Sequence, residues 1–123
     1  MSAINVTGEE FERAIQKDGI VFVDFWADWC GPCKMFAPIF EAASKTHPDI
    51  SFIKVDTDAE QELASAAQIS SIPTLMAFRD GILVFRQPGA LPGPNFEELI
   101  TAVRNINMEE VRAELAKQES AKN

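Results

Sequence analysis

The sequence is short of most features that would point to a bound metal, a membrane or a nucleic acid. It has one histidine, His47, and two cysteines, Cys30 and Cys33. A tetrahedral zinc site takes four ligands, mostly thiolates and imidazoles. A mononuclear structural site within one chain is therefore short of donors, although a cluster or metal shared between two chains stays open. His47 precedes Pro48 at a helix end, where a solvated capping role is expected. No apolar run approaches the roughly 18 residues of a membrane span. Basic residues number 11 against 19 acidic ones, giving a formal net charge of −8. Such a chain repels phosphate backbones and anionic lipid, so proteins and small molecules are the expected partners, with no nucleic acid and no membrane. The N-terminal MSAINVTGEEFERAI has no basic segment followed by an apolar one, and no signal peptide is read there. A reducing, cytosolic location is expected. There a close cysteine pair is more often catalytic or metal-binding than a structural staple.

What is present is an ordinary globular composition, 46% hydrophobic and 24% charged, in 123 residues. That length suits one domain with a real core. Thr7 with Glu10 forms a capping box at a helix start, and Phe11, Ala14 and Ile15 follow at helical spacing. IVFVDFW, residues 20–26, is a buried-strand run. A helical pattern over residues 33–46 carries Phe36, Ile39, Phe40 and Ala43 on one face, with a kink expected at Pro38. Residues 50–55 read as a second buried strand. Asp58 with Gln61 reads as the cap of a short helix ending near Gln68. Strands at 74–78 and 82–85 are joined by an Asp80-Gly81 hairpin turn. Asn95 with Glu98 reads as the cap of a helix that buries Phe96, Leu99, Ile100 and Val103. A short first strand is expected at residues 3–6.

Strands separated by helices imply right-handed parallel crossovers, and the last hairpin adds antiparallel strands. The expected architecture is α/β: a central mixed sheet, with a parallel core and a C-terminal antiparallel hairpin, and helices on both faces. Pro88 suits an edge strand, because a central one would use the N–H that proline lacks.

The two cysteines lie in FWADWCGPCK, between a buried strand and a helix start. A bare C-x-x-C is weakly specific, but this βαβ setting places Cys30 at a helix N-terminus, where unpaired N–H groups and the helix dipole favour a thiolate. Pro32 falls where its missing N–H costs nothing. Gly31 is expected to let the turn run tight and leave the Cys30 sulfur uncovered, with Cys33 one turn deeper and shielded. A structural disulfide over so short a loop would constrain the unfolded chain little. Redox chemistry is the better reading: one thiol attacks and the other resolves.

WCGPCK, preceded by DFWA and followed by SIPT, resembles the active-site sequence of the thioredoxins. The resemblance covers about residues 6–103 and includes Asp24, Lys54, Pro73 and Gly89 as matches outside the cysteine motif. It implies a thioredoxin fold and a bacterial-type, monomeric protein-disulfide reductase. Cys30 would be the nucleophile and Cys33 the resolving thiol. On spacing alone, Asp24 would be an outward-facing strand residue; the resemblance instead puts it beneath the disulfide, assisting proton transfer at Cys33, with Lys54 nearby to tune it. A solvated strand lysine is the plainer reading of Lys54. The resemblance also makes Pro73 cis and gives the backbone of Ile72 a role in binding extended substrates. Trp29, Gly31, Pro32, Ile72, Gly89 and Ala90 would form an apolar rim, although Gly89 also fits a simple turn. Trp26 is expected in the core. No bound cofactor is implied, because the cysteine pair carries the electrons; NADPH would be used indirectly, through thioredoxin reductase. Clients such as ribonucleotide reductase, peroxiredoxin and methionine sulfoxide reductase are implied.

Two alternatives remain at this level. Relatives that act as disulfide oxidants or isomerases usually carry His between the cysteines, where this chain has Gly31-Pro32. A thioredoxin fold can also serve as an interaction module with incidental thiols. The chain departs from the family beyond its last expected helix. The domain is read as residues 1–106, and residues 107–123 as a helical extension, packed, paired between molecules or frayed. Asn107 with Glu110 is a fresh capping box, and Met108, Val111 and Leu115 recur at helical spacing.

Overall fold

The computed structural model describes residues 2–122; Asn123, the last residue of the expected extension, lies outside the described part. The elements run β1 (Ile4–Asn5), α1 (Gly8–Ile15), β2 (Ile20–Trp26), α2 (Gly31–Thr46), β3 (Ser51–Asp56), α3 (Gln61–Ala66), β4 (Thr74–Arg79), β5 (Ile82–Pro88), α4 (Gly93–Arg104) and α5 (Met108–Lys122). The five strands form one sheet in the order β1-β3-β2-β4-β5. β1 and β2 pair parallel to β3, whereas β4 runs antiparallel to both β2 and β5. The expected mixed sheet is therefore present. β2 is the central strand, and β5, which carries Pro88, is an edge.

Side chains alternate across a strand, and β2 is apolar on both sides because both faces are covered. Phe22 joins Phe52, Leu75 and Ala77 against Phe36 and Phe40 of α2 and Phe96 and Ile100 of α4. Ring centroids lie 5.3 Å apart for both Phe22–Phe96 and Phe40–Phe52, in edge-to-face contact. On the other face Val21, Val23 and Phe25 meet Phe11 of α1 together with Ile53, Val55, Met76 and Phe78.

The element ends follow local chemistry. Thr7 and Glu10 make the reciprocal capping box. Asp80 and Gly81 have φ of 52° and 82°, the left-handed pair that a two-residue hairpin loop needs. α2 opens at Gly31 and continues through Pro38 to Thr46.

Two caps differ from expectation. α3 has Glu60, not Asp58, at its N-cap, with no side-chain bond there; the Asp58 carboxylate is taken by Trp29 instead. α4 begins after Pro92, which places Asn95 inside the helix, because proline fits the first helical turn. His47 also departs from a solvated role. It is the C-cap residue of α2, yet its Nε2 is 2.7 Å from Glu97 Oε1 and its Nδ1 is 3.0 Å from Arg104 Nη2. A guanidinium only donates, so Nδ1 accepts and Nε2–H donates to Glu97. Arg104 also pairs with Asp49 and holds that carboxyl down to about 2.

α5 starts where Asn107 Oδ1 accepts from the N–H groups of Glu109 and Glu110. Met108 is buried and Val111 half-buried, and from residue 112 to 121 every side chain is exposed.

Candidate active site

The site grows out of the C-terminal end of β2. The chain leaves the sheet at Trp26, turns through residues 27–29 and enters α2 with Cys30 as N-cap, in extended conformation at φ −93° and ψ 110°. The Cys33 N–H points back at Cys30 Sγ, 3.2 Å away. The two cysteines are joined in a disulfide with Cα atoms 5.3 Å apart. A free helical N–H aimed at the first sulfur is what favours a thiolate there once the bond is reduced.

Neither sulfur-bearing residue is open to solvent. Cys30 is 4% exposed and Cys33 3%, so the expectation of an uncovered Cys30 is corrected. Ala27, Trp26 and Ile72 pack around the pair, and the Ile72 carbonyl oxygen lies 3.6 Å from Cys30 Sγ. The Gly31 expectation is corrected too. Its φ is not in the left-handed region, and an added Cβ would meet nothing within 4 Å. Glycine there leaves the rim bare but is not required by the turn.

The Ile72–Pro73 peptide is cis, and Pro73 is buried. Gly89 sits beside it at φ 102°, and its N–H donates to Pro73 O at 2.7 Å. The turn reading of Gly89 is the one its backbone carries, and the bond sets it next to Pro73. Ala90 follows it, exposed. Trp29 is 71% exposed, with its indole N–H donated to Asp58 Oδ2 at 3.0 Å. Gly31 and Pro32 are exposed on the first turn of α2. The structure therefore gathers Cys30, Cys33, Trp29, Gly31, Pro32, Ile72, Pro73 and Gly89 at one end of the sheet.

Asp24 is 1% exposed on the central strand, which corrects the outward-facing reading. It pairs in register with Lys54 on one side and Leu75 on the other. Among the described residues neither carboxylate oxygen has a hydrogen-bond partner. Burial without partners disfavours the charged form and raises this carboxyl to about 7, with the Lys54 charge pulling the other way. Lys54 is half-buried, with Nζ 4.9 Å from the centroid of the Trp26 ring. Trp26 is itself half-buried rather than a core residue, and its indole N–H donates to Asn5 Oδ1 at 2.9 Å. A cavity of about 110 Å³ reaches from Lys54 and Trp26 to Cys33 and Lys34. The contacts of Trp29 with Asp58 and of Trp26 with Asn5 and Lys54 had no sequence signal, because each joins residues far apart in the chain. Among the described residues no group of three or more His, Cys, Asp or Glu is placed to hold a metal ion.

The thioredoxin family model matches residues 2–105. The chain is 47% identical over 119 residues to "Putative thioredoxin 2" of Streptomyces coelicolor, covering 97% of this chain and 89% of that one. That match reaches into the segment beyond residue 107. Among solved structures, a mutant thioredoxin from Halobacterium salinarum NRC-1 superposes with a TM-score of 0.79 at 33% identity, covering 86% of this chain and 94% of that one. A chain from a study of thiol resolution in yeast mitochondrial 1-Cys peroxiredoxin through the glutathione and thioredoxin systems gives 0.75 at 30% identity, covering 82% and 95%.

Proposed function

The chain belongs to the thioredoxin family and is a thiol–disulfide oxidoreductase, and on that premise we propose that it is a cytosolic, bacterial-type thioredoxin acting as a general protein-disulfide reductase. In the reduced protein the Cys30 thiolate attacks one sulfur of a client disulfide. A Cys30–client bond forms, the client S–S bond breaks, and the departing client thiolate takes up a proton. Cys33 then gives its proton toward Asp24 and attacks Cys30 Sγ. The mixed disulfide breaks, the second client sulfur leaves as a thiolate that takes up a proton, and Cys30–Cys33 is oxidised as two electrons pass to the client.

Several features support this reading. The Cys33 N–H at 3.2 Å from Cys30 Sγ stabilises the attacking thiolate. Asp24, raised to about 7, is poised to exchange a proton near neutral pH. The cavity of about 110 Å³ that Cys33 shares with Lys54 has the volume to admit a few waters beside the resolving sulfur. Exposed Trp29 and the Ile72–Pro73 backbone give clients an apolar rim and main-chain groups to pair with, a mode that reads little side-chain sequence. Thioredoxin reductase, drawing on NADPH, is the proposed source of electrons. Ribonucleotide reductase, peroxiredoxin and methionine sulfoxide reductase are the proposed kinds of client, with a monomeric chain as the working form.

The observation that carries the proposal is the Cys30–Cys33 pair at a helix N-terminus, with the Cys33 N–H turned back to Cys30 Sγ. Its test is the reduction potential, measured by equilibration with glutathione. The value known for thioredoxin itself, about −270 mV, is the expected result. A value near about −120 mV, that of a strong oxidant, would reverse the direction of electron flow.

A further inference from the structure

Lys54 has two places to put its charge. In the parallel pairing of β2 with β3 it lies directly opposite Asp24, and Trp26 is its diagonal neighbour on the same face. On its other side β3 pairs with β1, and there Asn5 lies opposite Lys54. Asn5, Lys54 and Asp24 thus form a row across three strands. The Trp26 indole crosses this row from β2 to β1, where its N–H donates to Asn5 Oδ1 at 2.9 Å. The ammonium rests on that indole, 4.9 Å from the ring centroid, and among the described residues it makes no ion pair with Asp24.

We propose that Trp26 and Asn5 are positioning residues for Lys54: the indole, fixed by Asn5, keeps the ammonium at the wall of the cavity that reaches Cys33, close enough for its charge to act on Asp24. An ammonium is strongly hydrated and its stem is flexible. Without a surface to rest on it swings toward solvent. An aromatic face offers attraction without the hydrogen bonds that would quench the charge. The charged and titratable groups around this region are Lys54 and Asp56 from β3, Cys33, Lys34 and Glu41 from α2, and Asp28 from the turn before α2. β4 presents only Leu75 to Asp24. Asp56 is occupied by the N–H groups of Asp58 and Ala59. Glu41, which feels the Lys54 charge, is the competitor that would draw a released lysine away.

The inference deepens the proposed mechanism and rests on the role given there to Asp24 only for its effect on rate. The direct readout is the titration of the Asp24 side-chain carboxyl carbon by NMR in the oxidised protein. In Trp26→Leu the midpoint rises by about 0.5 pH unit or more. Trp26→Phe, which keeps a ring face, recovers most of that shift. Asn5→Ala, a milder change that serves if Trp26→Leu fails to fold, moves the midpoint the same way by less. In a Lys54→Met background neither Trp26→Leu nor Asn5→Ala produces a further shift. An unchanged or lowered midpoint in the single variants, or an equal shift without Lys54, overturns the proposal. The pH profile of mixed-disulfide resolution then separates the two readings. If the carboxyl midpoint moves and the profile does not follow, the positioning of Lys54 stands and the proton-transfer role of Asp24 falls.

Discussion

Asp24 concentrates the cost of function in a single side chain. Its ordinary value of 3.8 becomes about 7 in the folded protein, chiefly through burial. Between those limits the folded state binds the proton more tightly than the unfolded chain. The contribution of Asp24 to stability is therefore full below about pH 4, is lost as pH rises toward about 7, and changes no further above that. Asp24→Asn removes this loss. In urea titrations it should be more stable than wild type by about 3–4 kcal/mol at pH 8 and nearly equal to it at pH 4. The same variant should slow resolution of a mixed disulfide while leaving the first attack by Cys30 nearly intact, measured by stopped-flow with a model disulfide. Equal pH dependence of stability in both proteins would place the raised group elsewhere. Spacing alone points Asp24 outward, because a lone carboxyl in a strand is usually solvated. Only the family motif places it inside.

Strands and helices were legible wherever a run carried its own pattern. β2 has the limits expected for IVFVDFW, and the capping box of α1 and the Asp80-Gly81 hairpin follow from residues adjacent in the chain. Caps that depend on geometry beyond the next few residues were not legible. Asp58 satisfies the local capping pattern but is claimed by Trp29 from the neighbouring segment. Asn95 is displaced by Pro92-Gly93-Pro94, which already starts α4. The C-terminal end of α4 shows the same limit. Arg79, at the end of β4, sends Nη1 to the carbonyls of Val103, Arg104 and Ile106 at 3.1, 3.1 and 2.7 Å. No pattern in the sequence couples a strand arginine to a helix end. Carbonyls left over at a helix terminus need donors, and three here share one guanidinium nitrogen. Arg79→Met keeps the apolar stem but strands those acceptors, and should cost about 2 kcal/mol in chemical denaturation, with the reduction potential unchanged.

Across the whole molecule, chemistry and extension sit at opposite ends of the sheet. Thr74, at the start of β4, pairs with Pro88 beside the cis-proline corner, whereas the other end of β4 leads into the Asp80-Gly81 turn. Six residues of strand separate the two, about 20 Å. Arg112 of α5 reaches Asp80 at 3.2 Å, so α5 is anchored at the far end. Its hold on the body is slight: Met108 is buried, Val111 is half-buried, and residues 112–121 are exposed. Removing residues 108–123 should lower stability by about 1–3 kcal/mol and leave the rate of reduction of a small disulfide unchanged, by thermal unfolding and by turnover. A changed rate would mean that the extension communicates with the disulfide. The same polarity makes the last helix a natural handle. A chain fixed to a bead or an electrode through Arg112, beside the Asp80-Gly81 turn, would stand with its cysteine end away from the support, whereas attachment near Trp29 would bury the reactive end against it.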